Sequence, residues 1–115
     1  MPPQLYAGVR VRDFAAAREW YERLLGEPAF FPHSTEAVWM LAEGGSVFVV
    51  QDADRAGHCL VTIMVDDLDA QVADIATRGL DPDERVTYSS GARKAIYRDP
   101  DGNELGLGGV PVGAG

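Results

Sequence analysis

The sequence is short of the residues that staple, chelate and span. Its 115 residues include one cysteine, Cys59, so no disulfide can form within the chain. Cys59 stands inside an apolar run and reads as a small buried hydrophobe rather than a reactive thiol. An unpaired cysteine fits a reducing compartment, and the expected location is cytoplasmic. The first 13 residues lack the basic-then-apolar pattern of a secretory signal. Histidine is almost as scarce, with His33 in a polar stretch and His58 just before Cys59. No Ser-His-Asp, Cys-His or metalloprotease pattern is present. Positive charge is also in deficit: 10 Lys and Arg stand against 18 Asp and Glu, for a net charge of −8. A phosphate backbone or an anionic membrane repels such a surface, so neither nucleic acid nor membrane is an expected partner. No apolar run approaches the length of a membrane span.

What is present describes an ordinary globular chain, 46% hydrophobic and 24% charged, expected to form a single domain over residues 1–115. Only the Gly-rich tail, 108–115, departs from that composition. Residues 5–12 alternate Ala7, Val9 and Val11 with Tyr6, Gly8 and Arg10, a period of two that predicts a strand. Asp13 is a helix N-cap candidate, and Phe14, Ala17, Tyr21, Leu24 and Leu25 form one stripe of a helix over 14–25, ended by Gly26. Strands are expected at 29–32, 36–42 and 46–51, with Gly44-Gly45 as the turn between the last two.

The pattern then restarts. Residues 59–65 form a strand, Asp67 caps a helix over 68–78, and strands follow at 85–88, 93–98 and 103–107. A shift of 54 residues aligns Val9 with Ile63, Val11 with Val65, Asp13 with Asp67 and Phe14 with Leu68. The fold class is therefore α+β, with two βαβββ repeats over about 5–51 and 58–109. A unit of ~50 residues is too small to bury a sheet face alone, so two halves must pack together, within one chain or by exchange between chains.

Three segments carry a family resemblance. They are Val11-Arg-Asp-Phe followed by Trp20-Tyr21 in the first half, Val65-Asp-Asp-Leu in the second, and Asp99-Pro100-Asp101-Gly102-Asn103 near the end. Together they resemble the glyoxalase / bleomycin-resistance / extradiol-dioxygenase superfamily, also called vicinal oxygen chelate proteins, over roughly residues 5–109. The resemblance implies curled mixed sheets around a cup, with helices outside. Ala7, Val9 and Val11 then back onto the first helix, and Val61, Ile63 and Val65 onto the second. Tyr6, Gly8, Arg10, Leu60, Thr62, Met64, Glu104, Gly106 and Gly108 face the cup, while Leu105 and Leu107 pack inward.

Metal-using members hold a divalent ion with His and Glu side chains from the first and last strand of each half. The matching positions here are Tyr6, Leu60, Gly106 and, in an uncertain register, Val49 or Gln51. Leucine and glycine offer no side-chain donor, so neither metal nor another cofactor is expected. A displaced site using Tyr6, His58 and Glu104 would sit ~6–7 Å from the usual positions, one same-face step along a strand.

The family also includes drug-binding resistance proteins, dimers whose ligand lies in a groove made by both chains. The leading expectation is thus a metal-free homodimer that binds a small aromatic or cationic molecule, an antibiotic among the candidates. Its wall would come from Tyr6, Trp39, Phe48, Gln51, Leu60, Met64, Tyr88, Tyr97 and Glu104, with Trp39 foremost because Glu36 and Glu43 flank its strand. Two alternatives stay open: a metal-dependent lyase or dioxygenase with displaced ligands, and a metal-free isomerase using Glu104 or Tyr6. Core packing competes for each aromatic, and pairing with an arginine competes for Glu104.

Overall fold

The computed structural model describes residues 3–110. The chain runs β1 (Leu5–Val11), α1 (Phe14–Leu25), β2 (Phe30–His33), β3 (Glu36–Ala42), β4 (Gly45–Gln51) and a 3-10 turn at Ala53–Arg55. It then repeats the plan with β5 (Leu60–Val65), α2 (Leu68–Thr77), β6 (Glu84–Thr87), β7 (Arg93–Arg98) and β8 (Glu104–Gly109). Two four-stranded mixed sheets result, ordered β1-β4-β3-β2 and β5-β8-β7-β6, and they do not close into a barrel. The expected α+β class and both βαβββ units are present.

Both helices start where the sequence places them. The Asp13 carboxylate accepts from Ala16 N–H and that of Asp67 from Ala70 N–H, satisfying amides that the first turn leaves without partners. Each half pairs its first strand in parallel with its last, β1 with β4 and β5 with β8. A parallel pair needs a long crossover, which the intervening helix and strands supply. One strand outruns its expected end. β8 continues through Gly108 and Gly109, which pair with Met64 and Val65, so the Gly-rich tail begins as sheet. A Cβ on Gly109 would lie 2.9 Å from Leu68 Cβ, which explains a glycine where α2 crosses the sheet. Residues 111–115 of that tail lie outside the described residues.

One core joins the halves on the helix side of both sheets. Val9, Val11, Val47 and Val49 of the first sheet and Leu105, Leu107 and Tyr97 of the second share it with Phe14, Tyr21 and Leu24 of α1 and Ile75 of α2. Val61, Ile63 and Val65 face this core as expected, but only half-buried.

The Asp99–Asn103 turn closes the seam. Asn103 is fully buried: its Oδ1 accepts from Cys59 N–H at 2.9 Å, and its Nδ2 donates to Arg10 O at 3.0 Å and Asp99 Oδ2 at 2.9 Å. Asp99 Oδ2 also accepts from the Tyr21 hydroxyl at 2.8 Å, and Asp99 Oδ1 accepts from the amides of Asp101 and Asn103. Burial, reinforced by the Asp99 charge, pushes the Tyr21 phenol far above its ordinary range, so it stays a donor. Arg12 N–H completes the clasp on Asp101 Oδ2. Asn103→Ala is expected to lower unfolding free energy by about 2–5 kcal/mol in urea titration, because it strands one carbonyl and one amide at the seam.

Candidate functional site

Opposite the helices, both sheets present a second face. Pairing defines it: Tyr6, Gly8 and Arg10 of β1 lie beside Ser46, Phe48 and Val50 of β4, then Glu36, Val38 and Met40 of β3. On the second sheet Leu60, Thr62 and Met64 of β5 lie beside Glu104, Gly106 and Gly108 of β8. Arg98, Ile96 and Lys94 of β7 come next, then Glu84 and Val86 of β6. Large apolar groups stand open to solvent here, with Leu60 66%, Met64 64%, Met40 60% and Tyr6 48% exposed. Three cations (Arg10, Lys94, Arg98) balance three carboxylates (Glu36, Glu84, Glu104) on this face. The acidity that favours a cationic ligand therefore lies elsewhere on the molecule.

Of the nine expected wall residues, Tyr6, Phe48, Leu60, Met64 and Glu104 share this open face. Tyr88 lies beyond β6 in the turn to β7, exposed, with its N–H bonded to Ala92 O. The remaining three do not line it. Trp39 pairs with Val47 and so points into the core, where its Nε1 donates to Gly26 O at 2.8 Å and its ring lies 6.0 Å from that of Tyr21. The glutamates near it in sequence did not reveal this, because pairing with β4, not flanking charge, sets its side. Tyr97 pairs with Leu105 and is likewise buried; among the described residues its hydroxyl has no partner, and burial raises its phenol. Gln51 is turned toward α1, its Oε1 accepting from Phe14 N–H at 3.0 Å.

The pairing also settles the uncertain fourth ligand position. Tyr6 and Leu60 are equivalent, and they pair with Ser46 and Glu104 respectively. Gly106 therefore corresponds to Phe48, whereas Val49 faces the core. The positions that the family resemblance assigns to metal ligands thus hold Tyr6, Phe48, Leu60 and Gly106, a set with one phenol and no carboxylate or imidazole. These residues do not fit a divalent ion. The displaced set fares no better. Glu104 is engaged by Arg98, whose Nε lies 3.1 Å from Oε1 and whose Nη2 also reaches Glu84. His58 lines a hollow with Arg10 and Arg55, two guanidiniums that repel a cation. Among the described residues no three His, Cys, Asp or Glu groups converge.

Lys94, Met40 and Ile96 were missed as face residues. Period-two alternation through Lys94, Ala95, Ile96 and Tyr97 carries the signal for two of them, but it leaves open which set faces the helices.

A family model for a glyoxalase-like domain matches residues 7–107. A glyoxalase / bleomycin resistance protein from Catenulispora acidiphila is 48% identical, with 96% of this chain and all of that one covered and a TM-score of 0.92. A bleomycin-binding protein solved with bleomycin is 18% identical, with 94% and 98% covered and a TM-score of 0.74. An oxidase, ChaP-H1, is 22% identical, with 99% and 100% covered and a TM-score of 0.70. A search among curated proteins gave no match. The chain belongs to the glyoxalase-like domain family, within the vicinal oxygen chelate superfamily.

Cys59 packs against the core at the head of β5, its Sγ 3.4 Å from Gly8 O. Burial pushes the thiol above its usual range, outweighing the opposing pull of a backbone hydrogen bond. A raised thiol holds less thiolate at neutral pH. Alkylation by iodoacetamide at pH 7.5 is therefore expected to run at least about threefold slower than for free cysteine, with the rate still climbing above pH 9.

Proposed function

We propose that this chain is a homodimeric small-molecule binding protein of the cytoplasm. It holds a flat aromatic ligand on the open face without a metal and without altering it, as in antibiotic sequestration. The observation that carries this reading is the exposure of Leu60, Met64, Met40 and Tyr6 on the helix-free side of the two sheets. An apolar sheet face of this kind in a globular protein marks a ligand or partner site. Its charges balance, so closing a second copy over it meets no net repulsion. The likeness to a bleomycin-binding protein supports the fold side of the reading. The ion-paired state of Glu104 weighs against its use as a general base.

The test combines size-exclusion chromatography with light scattering and a thermal-shift screen of bleomycin and of aromatic acids, amides and amines. The expected result is a dimer at micromolar concentration and a raised Tm with at least one compound, recovered unchanged by mass spectrometry. A monomer with no stabilising compound sinks the reading, and a chemically altered compound replaces it with a metal-free enzyme. Leu60→Glu removes no core packing, so the chain is expected to stay folded while losing at least about tenfold in ligand or partner affinity, or ~1.4 kcal/mol.

A further inference from the structure

Where the family positions place a metal ligand at Gly106, this chain places a cation of its own. Lys94 is the chain's only lysine. It sits on β7 diagonal to Gly106, and its stem lies across that glycine. A Cβ built on Gly106 would overlap Lys94 Cε and stand 3.1 Å from Nζ. A side chain at 106 would meet this stem, and the lysine tip would have to shift to make room for it. Beside it, a Cβ on Gly108 would stand 2.6 Å from Met64 Sδ, so the thioether occupies the neighbouring gap.

The surroundings leave this charge available. Among the described residues no carboxylate lies within 4.0 Å of the Lys94 ammonium, whereas Glu84 and Glu104, the acids of the same sheet face, are both bound to Arg98. Lys94 is half-buried, with Val86 and Gly108 as its cross-strand neighbours. The surplus acidity of the chain lies off this face, and charges more than ~10 Å away are strongly screened at ordinary ionic strength.

We propose that Lys94 takes the place of the ion in this chain and that the open face recognises an aromatic ligand through an anionic oxygen, a carboxylate or phenolate, set against the Lys94 ammonium with the ring against Met64, Leu60 and Ile96. This deepens the proposed binding function and rests on it.

The test uses three probes of one shape: 1-naphthoate, 1-naphthamide and 1-naphthylmethylamine, titrated calorimetrically into the full chain at 50 and 500 mM salt. The expected order is naphthoate at least tenfold tighter than the amide, with the amine weakest, and a preference that shrinks at the higher salt. Lys94→Met keeps the stem and removes the charge. It is expected to weaken naphthoate at least fivefold and leave the amide within twofold, with an unchanged Tm confirming the fold. If the amide or amine binds as tightly as naphthoate, or Lys94→Met leaves naphthoate unaffected, the anion assignment is overturned while the binding function stands. If none of the three binds, the anion assignment likewise falls, while the binding function stands or falls on the wider thermal-shift screen.

Discussion

The buried Asp99 carboxylate and the groups that close around it hold the two halves in one molecule. A carboxylate out of water is costly unless its lone pairs are met. Here four donors meet it, from Tyr21 on α1, the Asn103 side chain and the amides of Asp101 and Asn103. Asn103 extends the contact to Arg10 on β1 and to Cys59 at the head of β5. Every element that shapes the open face is therefore tied, directly or through one neighbour, to one turn.

That clasp has a consequence for the second side of the sheets. With β1 and β5 as neighbouring edges and both helices on one side, all the apolar surface that the helices cover goes into a single core. The rest of the strand residues have no layer over them. Their composition is not that of an ordinary wet face, since methionine, leucine, tyrosine and phenylalanine stand among balanced charges. The positions that the family resemblance assigns to metal ligands lie on this face, which is lined here with a phenyl ring, a leucine, a bare glycine and a lysine stem.

Much of the fold was legible because it depends on local pattern. Alternation in 5–11 and 60–65, the Asp caps and the duplicated order all survive in the structure, since period and capping act within a few residues. The wall residues were legible only in part. Tyr6, Leu60 and Met64 followed from alternation anchored to a helix stripe. Trp39, Tyr97 and Gln51 did not, because in β3, β7 and at the end of β4 the side is chosen by cross-strand pairing, and a one-residue change in register turns every side chain over.

The amino-acid order by itself determined the two βαβββ units, the helix starts and the lack of ligating side chains at two of the four family positions, Leu60 and Gly106, because these are matters of residue type and spacing. Only the tertiary structure decided that the Asp-Pro-Asp-Gly-Asn turn is a clasp between halves, that Phe48 is the counterpart of Gly106, and that Lys94 lies over that glycine. Those facts arise from strands far apart in the chain coming into register, and no periodicity encodes which distant residue will fill the space above a missing side chain.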